Sequence, residues 1–463
     1  MASMFSDSVK EAHLIDPGAG EGILSETLVR RLSSGEKTPA KIAVTACEID
    51  PGMIPVLRKT YDRCARLCDA RGIQFESEIR RQDFIEFAAE MTRESLFPVQ
   101  QRMFNMAIAN PPYRKIQSGS RARLLLRSAG IETSNLYTGF LALLAKLLAD
   151  GGELVAITPR SFCNGPYFKP FRRMFLDAMS LRRMHVFQSR SEAFRKDEVL
   201  QENIIIHAVK SSRKPRTILI STDAEHAGGK STARSCAYDD VVSPRDPEQF
   251  IHLVLDDSQN DSRRRMQALR TTLSELGVEV STGRVVDFRA RELLLDDPAG
   301  SSFPLIYPAH FNGGFIHWPK PGGRKPNAIR EEALQRDLLV PAGVYVLVKR
   351  FSAKEEKRRV VACIYDPRRI PAPWVGFENH LNYFHERGKG LPLNLAKGLA
   401  AFLNSTAVDD FFRQFNGHTQ VNATDLRNIK YPARAALESL GKKLRAEFPR
   451  QQELDLLVEK ELF

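Results

Sequence analysis

At 463 residues and 52.2 kDa the chain is long enough for two or three domains, each able to bury its own core. With 43% hydrophobic and 27% charged residues, and no apolar run near the roughly 20 residues a membrane span needs, it reads as a soluble protein without a membrane partner. The formal charge of +12 and the pI near 9.4 favour a polyanionic partner, but the excess is +6 from Asp256 onward and +6 before it, so charge alone does not say which half meets that partner.

The opening segment MASMFSDSVKEAHLID lacks the basic start and long apolar stretch of a secretory signal, which points to the cytoplasm. Cys47, Cys64, Cys68, Cys163, Cys236 and Cys363 are scattered without a C-x-x-C pair, which argues against a disulfide framework and against a zinc site, so no metal is expected. Cys64 and Cys68, one helical turn apart without histidine partners, read as core fillers.

In chain order, β-rich runs predict strands at 12–16, 42–49, 104–109, 152–159, 184–188 and 203–210. Amphipathic spacing predicts helices at 22–32, 52–72 and 136–152, the last stopped by Gly151-Gly152. Strands alternating with helices indicate an α/β fold, a Rossmann-like doubly wound sheet. After about residue 210 the texture turns polar, and the boundary falls at DDSQNDSRRR (256–265), giving domains 1–255 and 256–463. The second domain reads as mixed α+β, with HWPKPGGRKPN (317–327) as an exposed basic loop and helical patterns at 393–415 and 433–448.

Asp16-Pro17-Gly18-Ala19-Gly20-Glu21-Gly22 follows the first strand and opens a helix, where glycines permit tight turns and close approach of a ligand to backbone. Glu48 ends the second strand, where a carboxylate can accept from both hydroxyls of a ribose; an ordinary exposed acid is the alternative. Asp83-Phe84 follows a predicted third strand ending near IRRQ: the acid can accept from an adenine amino group beside the aromatic ring, or it can simply cap a helix. Asp16, Glu48 and Asp83 thus stand at successive strand ends, on the edge where open α/β sheets bind ligands.

Asn110-Pro111-Pro112-Tyr113 directly follows the apolar strand FNMAIA. Two prolines stiffen the backbone and remove two donors, leaving carbonyls as fixed acceptors. A planar amine held by the Asn110 side-chain oxygen and the Pro111 carbonyl has its lone pair directed at an incoming electrophile, while Tyr113 offers a face for stacking an extruded base.

These motifs resemble the amino-methyltransferases of bacterial restriction–modification systems, in the gamma arrangement where the cofactor loop precedes the catalytic tetrapeptide. DPGAGEG, ACEID and RQDF stand for the cofactor motifs and NPPY for the tetrapeptide. The likeness is closest to PstI-like modification methylases and continues through 158–173, 189–206, 280–289 and 415–432. It implies a site-specific DNA adenine-N6 methyltransferase that uses S-adenosyl-L-methionine on double-stranded DNA and protects it from a cognate restriction endonuclease acting separately. Gly18, Gly20 and Glu48, with Asp16 at the loop's start, are then expected to hold the donor, and Asp83 and Phe84 its adenine. Asn110, Pro111, Pro112 and Tyr113 are expected at the target base, with Phe194 as a second aromatic contact. Transfer would be direct and in line, without a covalent enzyme intermediate.

The resemblance also makes 256–463 the target-recognition domain. Its Arg-, Asn-, Gln- and Thr-rich runs suit phosphates and base edges, and Arg284, Arg289, His418 and Gln420 are the candidate DNA contacts. One departure stands out: family members usually carry a helix before the glycine loop, and Met1–Phe5 reads as already inside it. Either the true start is expected upstream or the donor pocket is weakened, so a DNA-binding protein with a truncated donor pocket is an alternative, and the tetrapeptide also admits the N4 amine of cytosine. A glutamine amide or RNA would fit it too, but a protein-modifying enzyme has no need of the long second half.

Overall fold

The computed structural model describes residues 1–6, 9–92, 104–187, 203–223, 232–244, 246–253, 257–352, 356–415, 420–445 and 447–463. The chain divides into two compact units, Met1–Leu255 and Asp256–Phe463.

The first unit is built on β1 (Glu11–Pro17), β2 (Lys41–Cys47), β3 (Gln74–Arg80), β4 (Phe104–Ala109), β5 (Leu148–Pro159), β6 (Met179–Val186), β7 (Asn203–Lys210), β8 (Thr217–Thr222) and β9 (Thr232–Ala237). Their order in the sheet is β3-β2-β1-β4-β5-β7-β6-β8-β9. From β3 to β5 the strands run parallel, and β7 lies antiparallel between β5 and β6. Chain order reverses between β1 and β4, which opens a crevice at the carboxyl ends of those two strands.

Both faces of the sheet are covered at β4, which is why it is a continuous apolar run from Met106 to Ala109 rather than an alternating one. Met106 and Ile108 face the layer of α1 (Ile23–Ser34) and α2 (Ile54–Asp69), beside Leu28, Leu57 and Tyr61. Ala107 and Ala109 face the opposite layer, with Phe84, Phe140 and Phe162, on the side of α3 (Phe84–Thr92), α5 (Leu136–Leu147) and α6 (Lys169–Ala178). Helix α4 (Arg121–Ser128) contributes Leu126 to the same core. Cys64 and Cys68 are buried in the first layer, and burial pushes the Cys64 thiol up to about 12.

One expectation needs correction. The helix expected to run to Gly152 ends at Leu147, and Gly151-Gly152 lie inside β5, where the register with β4 shifts and Gly151 takes φ +80°. The glycines answer a bulge, not a helix cap. Strands β8 and β9 lie beyond residue 210, where the sequence turns polar, and TILIST carries the β-branched run of a strand. The polar boundary segment is helical from Asp257 to Ala268, held from outside by Ser262 Oγ to Asp410 Oδ2 at 3.1 Å and Arg265 to Glu459 at 2.7 Å. Tertiary bonds there override a composition that favours loop. At the start of the chain, Ala2–Met4 form a single 3-10 turn and Phe5 is buried.

The second unit is α+β. Among the described residues it has a six-stranded sheet containing Tyr345–Lys349 and Leu381–His385, and a five-stranded sheet containing Ser302–Ile306 and Trp374–Phe377. It also holds the helix Asp257–Ala268 and helices Leu393–Leu403, Thr406–Phe415, Ala423–Asn428, Arg434–Lys443 and Gln451–Leu462. The helical pattern at 393–415 is thus two helices, separated at Asn404-Ser405. No helix among the described residues is long and apolar enough to cross a membrane.

Candidate active site

Register alone collects the candidate residues of the first unit at one edge. Pairing of Pro17 with Cys47 sets Gly18 beside Glu48; pairing of Cys47 with Arg80 brings Asp83 to the same edge; pairing of Ala109 with Ala156 sets Asn110 beside Ile157. Neighbouring strands are about 4.8 Å apart, so four strand ends converge where the sheet opens.

In the glycine loop, the Gly18 and Ala19 amides donate to the Cys47 carbonyl at 2.8 and 3.0 Å. Gly18 and Gly20 have φ of +69° and +54°, and a Cβ on either would meet nothing within 4 Å. The loop therefore needs glycine for its backbone while leaving open space above it. Gly22 differs: its φ is +81° and a Cβ there would lie 2.6 Å from Leu57 Cδ1, so it seats α1 against α2.

Glu48 is 7% exposed, and its two carboxylate oxygens accept from the amides of Gly20 at 2.7 Å and Asp50 at 2.8 Å. Those bonds fix the carboxylate at the loop and leave lone pairs for a further donor. Asp16 is buried, and its Oδ2 has no partner among the described residues. Burial pushes its carboxyl up to about 7, with hydrogen bonds from Ser25 opposing the shift and the charge of Glu48 adding to it.

Asp83 caps α3: its Oδ1 accepts from the Ile85 amide at 2.7 Å. Phe84, the first residue of that helix, is buried with its ring centroid 4.8 Å from that of Phe140. Sequence reasoning overlooked Ile49, which is 66% exposed between Glu48 and Asp50. Nothing in the sequence marks that exposure, which is set only once the neighbours of Ile49 are in place.

Asn110 is exposed at the end of β4, Pro111 is buried and Tyr113 is half-buried. The Tyr113 hydroxyl lies 3.2 Å from Asn110 Oδ1 and 3.3 Å from the Ile157 carbonyl, bridging the ends of β4 and β5. Burial raises its pKa, so the phenol stays protonated and acts as a donor. Behind it stands Tyr137, edge-on at 6.3 Å between centroids, with its own hydroxyl 2.8 Å from Ser161 Oγ. Phe162 and Phe168 pack on Tyr137 in turn, at 6.4 and 5.8 Å. Neither Tyr137 nor Ser161 was anticipated, because their role depends on contacts between elements distant in sequence.

An acceptor-rich tetrapeptide beside a glycine cradle and a fixed acid is an arrangement for holding a nucleoside-bearing donor next to an amine. Residues 58–194, which include Asp83 and the tetrapeptide, match the Eco57I restriction-modification methylase family. The chain is 44% identical over 470 aligned positions to the type II methyltransferase M.PstI of Providencia stuartii, covering 100% of this chain and 90% of that protein. It is 46% identical over 448 positions to the type II methyltransferase M.BsuBI of Bacillus subtilis, covering 96% and 87%. The chain belongs to the type II restriction–modification methyltransferases. Among solved structures, the type IIL restriction-modification enzyme MmeI, determined in complex with DNA, shares the fold over 97% of this chain and 70% of its own, with TM-score 0.60 and 12% identity.

Of the DNA-contact candidates of this methyltransferase, Arg284, Arg289 and Gln420 are among the described residues of the second unit. Arg284 is engaged internally: Nη1 bonds the Asp337 carboxylate at 2.5 Å and the carbonyls of Asp337 and Leu339. Arg289 is exposed, on a short 3-10 turn, Asp287–Arg289. Gln420 is half-buried and forms an isolated bridge with Phe351. Phe194 and His418 lie outside the described residues.

Proposed function

We propose that the chain transfers a methyl group from S-adenosyl-L-methionine to N6 of an adenine swung out of duplex DNA, and so shields its site from a separate cognate restriction endonuclease. In this reading residues 1–255 carry out the transfer and 256–463 recognise the target sequence. The observation that carries it is the convergence of Gly18, Gly20, Glu48, Asp83 and Asn110–Tyr113 at one sheet edge. Membership of the type II methyltransferases and the fold shared with MmeI, a DNA-bound enzyme, support it.

The first unit fits the donor. The space over Gly18 and Gly20 admits it, Glu48 presents a fixed carboxylate to its ribose, and Asp83 and the exposed Ile49 suit its adenine. When bound, the donor supplies a methyl group made electrophilic by a sulfonium. Asn110 Oδ1 and the Pro111 carbonyl accept the two amine hydrogens and turn the nitrogen lone pair outward. Tyr113 stacks on the extruded ring and Tyr137 fixes Tyr113. Alignment and preorganised acceptors carry the rate, since these residues include no nucleophile.

The test is incubation of the purified chain with tritiated donor and mixed-sequence duplex DNA, followed by digestion to nucleosides. Label in N6-methyladenine is the expected result. Label in N4-methylcytosine would reassign the base, and label in neither would overturn the reading.

A further inference from the structure

We propose that Phe288, in the second unit, contacts duplex DNA by stacking its ring on a base or wedging it between base pairs, with the cations around it on the phosphates. The proposal rests on the reading above that the chain acts on DNA. It adds a residue and a mode of contact that the polar motifs did not indicate.

Phe288 is 77% exposed, though both ends of its turn are anchored in the core by Val285 at 0% and Ala290 at 2%. A lone apolar side chain on a surface needs no explanation in itself. What separates Phe288 from a stray one is its bracing. The Arg289 and Ala290 amides donate to the Val286 carbonyl at 2.9 and 3.1 Å. The adjacent Asp287 has both oxygens occupied, Oδ1 by the Tyr307 hydroxyl and Oδ2 by Lys325 Nζ, each at 2.9 Å. A rigid turn thus holds an aromatic ring out in solvent.

The charge around the ring suits a polyanion. Lys325 neutralises Asp287, and Arg336 neutralises Glu292 at 2.6 Å, so the two carboxylates nearest in sequence do not repel phosphate. Arg289 is exposed with its guanidinium 5.5 Å from the centre of the Phe288 ring, and Arg291 is exposed two residues on. Lys325 also ties the turn to the 317–327 loop, where Lys320 and Arg324 are exposed. The exposed Asp296 and Asp297 lie beside the same end of the loop, where the Asn327 amide donates to the Asp296 carbonyl, so the phosphate-facing cations are Arg289 and Arg291 on the turn with Lys320 and Arg324 on the loop. An aromatic face interleaved with arginines matches the combination that binds bases and backbone together.

The two contributions differ in their response to salt. A cation on a phosphate releases counterions, so losing it lowers the slope of log affinity against log salt by about 0.9; a stacking ring releases none. The experiment measures binding of a fluorescein-labelled duplex fragment, chosen as one the wild-type chain methylates, from 50 to 300 mM NaCl. Phe288→Ala is expected to weaken binding roughly 5- to 100-fold with an unchanged slope, Phe288→Trp to retain it, and Arg289→Ala to reduce the slope by about 0.9. Thermal unfolding should not change for Phe288→Ala, because the ring is already in water. Binding by Phe288→Ala within twofold of wild type at every salt concentration would overturn the proposal, as would a slope reduced like that of Arg289→Ala. If the wild-type chain neither methylates nor binds any duplex, the parent reading falls with it; if it methylates normally while Phe288→Ala binds normally, this proposal alone falls.

Discussion

The hydroxyl of Tyr113 stands between two acceptors, Asn110 Oδ1 at 3.2 Å and the Ile157 carbonyl at 3.3 Å, with one hydrogen to give. If Asn110 accepts the target amine, the hydroxyl keeps Ile157 as its partner and no buried donor is orphaned. The ring, not the hydroxyl, then carries the base contact. Tyr113→Phe should hold kcat within about threefold, whereas Tyr113→Ala should weaken target-base binding about 10- to 100-fold, the range for loss of one stacking aromatic. Steady-state kinetics, with 2-aminopurine fluorescence at the target position as a report of base extrusion, would check both. Equal loss in the two variants would assign the role to the hydroxyl.

Asn110 offers a different separation. It belongs to the β4 end and not to the glycine loop, so Asn110→Ala should reduce kcat about 10²- to 10³-fold, as loss of one preorganised polar group does, while leaving donor affinity unchanged. Calorimetric titration with the donor, paired with single-turnover methylation, measures the two quantities. A parallel fall in donor affinity would place Asn110 in donor binding instead.

The glycines of the loop should divide by function. Gly20→Ala puts a methyl group into open space and forces alanine to φ near +54°, so it should cost about 1–2 kcal/mol of stability and weaken donor binding at least tenfold. Gly22→Ala drives a Cβ to 2.6 Å from Leu57 Cδ1 at φ +81° and should cost about 2–4 kcal/mol in urea unfolding. The donor affinity of whatever folds should suffer less than in Gly20→Ala. The reverse ranking would contradict the cradle.

Asp16 ties stability to pH. Its folded pKa of about 7 lies above its ordinary value of 3.8, so below about pH 4 it is protonated in both states and imposes no penalty. As pH rises toward 7 the unfolded chain ionises first, and stability is lost through that window. Asp16→Asn should therefore gain roughly 2–4 kcal/mol over wild type at pH 8 relative to pH 4, measured in the absence of donor. A pH-independent difference between the two proteins would show that Asp16 is not held protonated.

Much of the site could be read before any coordinates, for reasons particular to each residue. The glycine loop and Asn110-Pro111-Pro112-Tyr113 are contiguous, and each sits where a strand gives way to the next element of the chain, so local chemistry marked them. Ile49 and Tyr137 were missed because an apolar residue gives no hint of whether it is exposed or buried until its neighbours are placed. Phe288 escaped for the same reason: polar side chains mark themselves by type, while a phenylalanine held in solvent by Asp287, Tyr307 and Lys325 does not. The bonds of Arg284 Nη1 to Asp337 and Leu339, more than fifty residues away, were likewise set by tertiary placement.

The sequence by itself determined the alternation of apolar strands and amphipathic helices, the loop that needs positive φ, and the tetrapeptide with its missing donors, since all of these follow from side chains and backbone limits within a few residues. Tertiary structure decided which strand lies beside which. The placement of β4 against β1, with Leu14 paired to Met106 and Ile15 to Ala107, brings Asn110 to the same sheet edge as Gly18, and no local propensity specifies that neighbour. It is set by the burial of alternate β4 side chains in two different helix layers, a condition met only when the whole sheet has formed.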